Sequence, residues 1–432
     1  MTNKKPNEGQ QKVIDACLDF LLDSNEKYLE VDGPAGTGKT FIQGQIIDTV
    51  LPQYEGTCKL LGMSPKYTDV ALTATTNKAA EQLGRASGRP VSTIHSHLSL
   101  MVRDDFKTGK STLSRRRDIP LVKDQILFID EKSFIGSYQL KDFIHDYTLN
   151  CKIILFGDSL QLEPPMDVMA KWDTNYKFEL TEPVRNAGQP ALQELCNQLR
   201  ETVRTGVFKP IQLVPGVIDQ LRGEEMVKAV KQSFVDEPID TRFIAYSNNK
   251  VNAYNNFIRK DLRGKPELYE DGEILVCNTH MQYSDTGKFS TEEEVTLVDV
   301  SSKIDTHVLD DGATLHTYKA TVIGSFGDEA VLNIPTSPEH LSQLKKYFAG
   351  RKNWQEYFRL RDCFPDLRPR DASTIHKAQG STVHTIFIDL NDLSQCNVAN
   401  TVARLLYVAV SRASDRVIFY GDLPEKYGGL CS

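Results

Sequence analysis

The chain has 432 residues, 40% hydrophobic and 25% charged, with a net charge of −7 and eight cysteines; it reads as a soluble globular protein long enough for two to four domains. The acidic balance argues against a protein that coats nucleic acid non-specifically, yet leaves room for a local basic channel. No window approaches the ~18 apolar residues of a membrane span, no apolar stretch of signal-peptide length opens the chain and no C-x-x-C pair occurs, so a cytoplasmic protein with reduced thiols and no membrane attachment is expected.

The first element with chemistry in it is "KYLEVD" followed by "GPAGTGKT" and "TFIQGQIIDTV". An apolar strand, a glycine-rich turn and a segment of helical apolar spacing follow one another there. Gly33, Gly36 and Gly38 let the backbone of Gly33, Pro34, Ala35, Gly36, Thr37 and Gly38 curl so that several N–H groups face one anion. Lys39 reaches the β- and γ-phosphates and Thr40 is placed to ligate Mg²⁺. The helix that starts here adds its dipole. ATP or GTP binding with Mg²⁺ is expected of this loop, whereas the work done with the nucleotide is not legible from it.

Further along, "VALTATT" and "NKAAEQLG", then "QILFID" and "IGSYQLKDFIHDY", then "CKIILFGD" alternate strand and helix, the rhythm of a parallel sheet covered by helices. Strand "QILFID" ends in Asp130 and Glu131, the pair expected to hold the metal and orient an attacking water. "GDSLQLEP" puts Asp158 and Gln161 at the same sheet edge, where parallel sheets bind ligands, and a glutamine amide there can sense a γ-phosphate. Between these, residues 99–122 contain "MVRDDFKTGKSTLSRRRDIPLV", a basic stretch shaped like a hairpin turning at Lys107–Lys110. Phe106, its one aromatic residue, stands directly before that turn; were the substrate a nucleic-acid duplex, its ring would be the candidate wedge for stacking on a terminal base pair. Either it does so or it packs beneath the hairpin on Leu113 or Ile119.

From about residue 273 the texture changes to strands with turns between them, "GEILVCN", "EEVTLVDV", "TLHTYKATVI" and "EAVLNI", as in a small β-barrel. A helical piece with Tyr347, Phe348, Trp354, Tyr357 and Phe358 follows, and "STIHKAQGSTVHTIFIDL" restores the alternating pattern. The β-rich region therefore reads as inserted into a second α/β domain. The tetrapeptide "STIH" occurs twice, at 92–95 and 373–376, once in each half of the chain.

Taken together, "NEGQQKVI", "GPAGTGKT", "TATTNKAA", "STIHSHL", "IDEKS", "GDSLQLEP", "ELTEPVRN", "FIAYSNNKVNAYN", "STIHKAQGSTV" and "LLYVAVSRASD" stand in the order of the motifs of superfamily 1 nucleic-acid helicases, and the chain resembles their 1B branch over nearly its whole length. The resemblance implies two RecA-like parallel-sheet domains: residues 1–186 with the inserted pin at 99–122, then 187–272 with 372–432, carrying an inserted SH3-like barrel with a helical extension at 273–371. It implies that Gln10 reads the adenine edge, although Gln11 beside it is a rival, that Arg185 and Arg412 are arginine fingers on the γ-phosphate, and that Gly380 lies among the nucleotide-binding residues. Thr76, Asn77, Thr93 and His95 on one domain and Ser373, Thr374, His376 and Lys377 on the other become contacts to the phosphates of single-stranded DNA, positioning without sequence readout. The implied activity is an ATP-dependent, Mg²⁺-requiring DNA helicase moving 5′ to 3′, a monomer acting on single-stranded and 5′-tailed duplex DNA, with replication or single-strand-binding proteins as partners. The alternative is an ATP-gated nucleic-acid-binding or protein-displacing module that does not unwind. One position departs from the pattern: Lys132 stands where relatives mostly carry a small or apolar residue. It either pairs with Asp130 or Glu131 or points to solvent, and the second is expected.

Overall fold

Strands Gln125–Asp130 and Lys152–Gly157 are almost wholly apolar, as strands covered on both faces must be. In the computed structural model, which describes residues 5–164, 167–182, 189–284, 287–325 and 327–431, they sit centrally in a six-stranded parallel sheet. The order across it is Lys177–Glu179, Tyr28–Asp32, Lys152–Gly157, Gln125–Asp130, Asp69–Ala74 and Val91–Thr93. The two-residue period of a strand divides these side chains between two cores. Ile126, Phe128, Ile154 and Phe156 meet Phe20 and Ile42 on one face, while Leu127, Ile129, Ile153 and Leu155 meet Ile94 and Ile144 on the other.

The chain divides into two units, Met1–Val102 with Leu113–Gly188, and Arg103–Thr112 with Gln189–Ser432. The second has its own parallel sheet, in the order Ile218–Leu221, Ala413–Tyr420, Val383–Asp389, Thr241–Ala245, Ala372–Thr374. Two sheets of this kind, each flanked by helices, fit two RecA-like domains. The second unit also contains an antiparallel sheet, Glu329–Pro335, Thr314–Gly324, Glu294–Val308, Ile274–Cys277, Leu367–Pro369. Its apolar residues alternate toward one core built on Val295, Leu297, Tyr318, Val322 and Leu332. Helices Pro338–Gly350 and Trp354–Cys363 cover a separate cluster of Leu309, Leu315, Leu341, Phe348 and Leu360. Among the described residues no helix is long and apolar enough to cross a membrane, and all eight cysteines are free thiols.

Strands Leu100–Asp104 and Ser111–Arg115 pair as a two-stranded ribbon. Its turn spans Asp105 to Lys110, one residue pair longer than "KTGK": Asp105 N–H donates to Lys110 O at 2.8 Å and Gly109 N–H to Asp105 O at 2.8 Å. The Asp105 carboxylate accepts from Lys107 N–H and Thr108 Oγ1, the self-bonding that makes Asp a turn residue. Gly109 has φ +71°, and a Cβ there would come within 2.4 Å of the Trp354 ring.

Candidate nucleotide and strand-binding sites

The phosphate loop leaves strand Tyr28–Asp32 and enters a helix beginning at Lys39. Gly36 and Gly38 have φ of +85° and +84°, the left-handed region that only glycine enters at little cost. Gly33 sits against Thr37 Oγ1 and Leu180, where a Cβ would be 2.8 and 2.9 Å away. Lys39 Nζ donates to the loop's own carbonyls, Gly33 O at 2.7 Å and Pro34 O at 3.2 Å, so the ammonium stands over the cradle.

Asp130 and Glu131 lie at the end of Gln125–Asp130, two strands from the loop. Burial pushes the Asp130 carboxyl above its ordinary value, and Lys39 opposes the shift. Its Oδ1 is buried without a hydrogen-bond partner, the condition of an acceptor suited to a cation or its water. Asp130 thus fits a divalent cation held at the loop. Glu131 has φ +55° and ψ +48°, a conformation costly for a residue with a Cβ and typical of sites where geometry is over-determined. Two contacts fix its carbonyl: Thr75 Oγ1 donates to it at 3.0 Å and Phe134 N–H at 3.1 Å. Asp158 and Gln161 are buried at the next strand end, with Gln161 N–H bonded to Asp158 O at 3.1 Å.

Lys132 corrects the sequence reading. It is buried and does not point to solvent: Nζ lies 2.6 Å from Glu30 Oε2 and 2.7 Å from Asp32 Oδ2. Residues 30 and 32 share one face of their strand, and two carboxylates on a central parallel strand demand a cation. That pairing of charges in "YLEVD" was the available signal. Gln10 also carries a structural bond set. Its amide accepts from Asn7 N–H at 3.1 Å in a capping box and donates to Thr37 O at 2.8 Å, tying the first helix to the phosphate loop, while Gln11 bonds Asp15.

In the second unit, Arg412 is buried and held by its own surroundings, donating to Val408 O, Ser381 O and Ser411 Oγ at 3.1, 3.1 and 2.8 Å. Gly380 nearby has φ +81°. Arg185 lies outside the described residues.

The two "STIH" segments fold alike. Each is the end of a short parallel strand at a sheet edge, Val91–Thr93 and Ala372–Thr374, running into a one-turn helix, Ile94–His97 and Ile375–Ala378. In each the threonine has extended φ/ψ and caps the turn, Thr93 Oγ1 accepting from Ser96 N–H and Thr374 Oγ1 from Lys377 N–H. The neighbouring strands repeat the pattern: Thr76 caps Asn77–Ser87 and Ser247 caps Asn248–Asn256. Asn77 and His376 are exposed, His95 is half-buried, and Ser373 and Thr374 are buried. Lys377 is already matched, with Nζ 2.9 Å from Glu292 Oε1 and 3.0 Å from Asn278 O. A capping aspartate went unnoticed in the sequence: Asp392 accepts from Tyr246 N–H, Ser247 N–H and Ser247 Oγ, fixing the turn that follows strand Thr241–Ala245.

Phe106 is 58% exposed, and its ring meets Phe358 edge-on, centroids 5.2 Å apart. Asp104 joins Arg361 at 2.6 Å, a contact that lowers the aspartate's pKa. The tip thus leans on the helix Trp354–Cys363, where Phe358 itself is buried.

A phosphate loop, an acidic pair two strands away in the same sheet and two like-built parallel sheets define a P-loop nucleotide-binding protein with two α/β units. Comparison with known proteins narrows the class. The family model described as "AAA domain" matches residues 5–212 and that of the "UvrD-like helicase C-terminal domain" residues 371–420. The ATP-dependent DNA helicase Dda of Enterobacteria phage T4 is 25% identical, covering 97% of this chain and 100% of that protein. The ATP-dependent RecD2 DNA helicase of Deinococcus radiodurans is 27% identical over 44% of this chain and 24% of its own length. A solved Pif1 helicase from Bacteroides, in complex with ADP-AlF3 and ssDNA, covers 100% of this chain and 95% of its own at 15% identity and a TM-score of 0.49, too loose a likeness to bear on function. The chain stands among the relatives of the superfamily 1B helicases.

Proposed function

We propose that this chain is an ATP-dependent DNA helicase that moves 5′ to 3′ on single-stranded DNA and separates duplex strands. The phosphate loop alone supports only nucleotide hydrolysis. The observation that carries the reading further is the duplicated, threonine-capped "STIH" turn, one at the edge of each parallel sheet. Two sequence-blind grips on one strand, attached to units whose arrangement ATP can change, convert hydrolysis into directed motion.

In this reading Thr40 and Asp130 hold Mg²⁺, which when bound neutralises charge on the transferring phosphate. Lys39 holds the phosphates, Glu131 orients water, Gln161 monitors the γ-phosphate, and Arg185 and Arg412 supply positive charge to it. Thr76, Asn77, Thr93 and His95 bind the strand on residues 1–186; Ser373, Thr374, His376 and Lys377 bind it on residues 187–272 and 372–432. The insertion at 273–371 is an SH3-like barrel with a helical extension that braces the pin at 99–122. The protein acts as a cytoplasmic monomer on 5′-tailed duplexes, alongside replication or single-strand-binding proteins. Unwinding of 5′-tailed, 3′-tailed and blunt duplexes with ATP tests this. Opening of the 5′-tailed substrate alone is the expected result, and ATP turnover with no strand separation on any of the three would refute it.

A further inference from the structure

The ion pairs of the buried Lys132 with the partly buried Glu30 and Asp32 join three strand ends that the nucleotide chemistry needs in register. Asp32 immediately precedes the phosphate loop, and its carboxylate is shared: Oδ2 takes Lys132 Nζ at 2.7 Å, while Oδ1 accepts from Ser159 N–H at 2.9 Å and Ser159 Oγ at 2.6 Å. Glu30 takes the same ammonium at 2.6 Å and is flanked by Lys177 at 3.6 Å. Lys132 directly follows Glu131, and Ser159 directly follows Asp158. Room for the lysine is made by Gly157, where a Cβ would stand 2.7 Å from Lys132 Cγ and 2.9 Å from its backbone N. Gly157 O in turn accepts from Gly33 N–H at 2.9 Å. One cation, two carboxylates, one hydroxyl and one missing side chain therefore meet behind the phosphate loop.

We propose that Lys132, with Glu30, Asp32 and Ser159, is a positioning clamp that holds Glu131 in its left-handed conformation and at a fixed offset from the phosphate loop. Lys132 touches no reacting atom; it acts through Glu131. A charge-assisted network centred on a buried cation is stiff because its bonds are short and directional. Hydrolysis depends steeply on where the water-orienting carboxylate sits, whereas nucleotide affinity is set mainly by the loop itself.

The inference rests on the ATP hydrolysis proposed above, so DNA-stimulated turnover by the wild-type chain is measured first; its absence defeats that reading rather than the clamp. Lys132→Met leaves two carboxylates facing each other and is liable to unfold, so the informative variant is the neutral triple, Glu30→Gln with Asp32→Asn and Lys132→Met, which keeps shape and removes the charges. The clamp predicts kcat for ATP lowered roughly tenfold, with nucleotide affinity within about twofold of wild type and a melting temperature close to it. Recovery of kcat along with the melting temperature would overturn the proposal, leaving the network a purely structural one. Ser159→Ala supplies a second reading should the triple variant not fold. It removes one donor to Asp32, and kcat should fall about threefold at unchanged stability; an unchanged kcat there also counts against the clamp.

Discussion

At the scale of single residues, the phosphate loop and the Asp130–Glu131 pair separate binding from turnover. Lys39→Ala removes the cation over the cradle and should abolish ATP hydrolysis; Glu131→Gln should bind ATP and turn it over very slowly, which nucleotide binding and single-turnover hydrolysis measured together will check. Wild-type turnover in Glu131→Gln would remove that residue from its role. Glu292 gives a pH-dependent counterpart. Burial raises its pKa, but Arg368 and Lys377 outweigh that and leave it below the ordinary value of about 4.5. A carboxylate lowered on folding contributes stability that is complete above that value and is lost as pH falls through its folded value. Glu292→Gln should therefore cost on the order of 3 kcal/mol at pH 7, since it leaves a buried guanidinium without its partner. Denaturant midpoints for the two proteins should converge as the pH is lowered.

At the scale of elements, the ribbon is where sequence and structure part most usefully. The turn signal at Lys107–Lys110 made the hairpin legible, because it is local. The Phe106–Phe358, Gly109–Trp354 and Asp104–Arg361 contacts were not, because each joins residues some 250 positions apart that no local pattern links. Much the same holds at the nucleotide site. The phosphate loop and the acidic pair are contiguous motifs and could be read directly, while Lys132 could be placed only once the sheet order had set Tyr28–Asp32 beside Lys152–Gly157. Phe106 packs against Phe358 and is still 58% exposed. Phe106→Ala should leave DNA-stimulated ATPase and single-strand translocation near normal while unwinding falls sharply. Its loss also removes an aromatic pair worth about 1 kcal/mol, too little to unfold the ribbon. Unchanged unwinding would rule the ring out as a wedge, and a parallel fall in all three activities would mark it as a packing residue.

For the molecule as a whole, the antiparallel sheet is joined to the second parallel sheet through charges as well as chain. Arg259 is paired with Glu273 at 2.7 Å and Arg263 with Asp371 at 2.7 Å, and the acids are the first and last residues of the segment 273–371. Excising that segment whole would leave the buried Arg259 without its counter-charge, a change that typically costs about 3–5 kcal/mol. Excising 274–370 keeps both acids, and the register Leu275 against Pro369 brings the cut ends close enough for a short Gly-Ser link. The shorter excision should retain the circular dichroism of folded α/β units, and the longer one should melt at lower temperature. An unfolded product from the shorter excision would show that the parallel sheet needs the insertion in order to fold.

The glycine behind Lys132 also constrains how such a chain can diverge. A lysine at 132 is tolerated only where 157 lacks a side chain and 30 and 32 carry acids, and each of those acids is a liability without the lysine. The set is epistatic. Its members can be exchanged as a block or in one order, the glycine first, but grafting the lysine alone into a relative with an apolar strand before its phosphate loop should yield an inactive protein. Restoring the two acids and the glycine in that background should bring activity back.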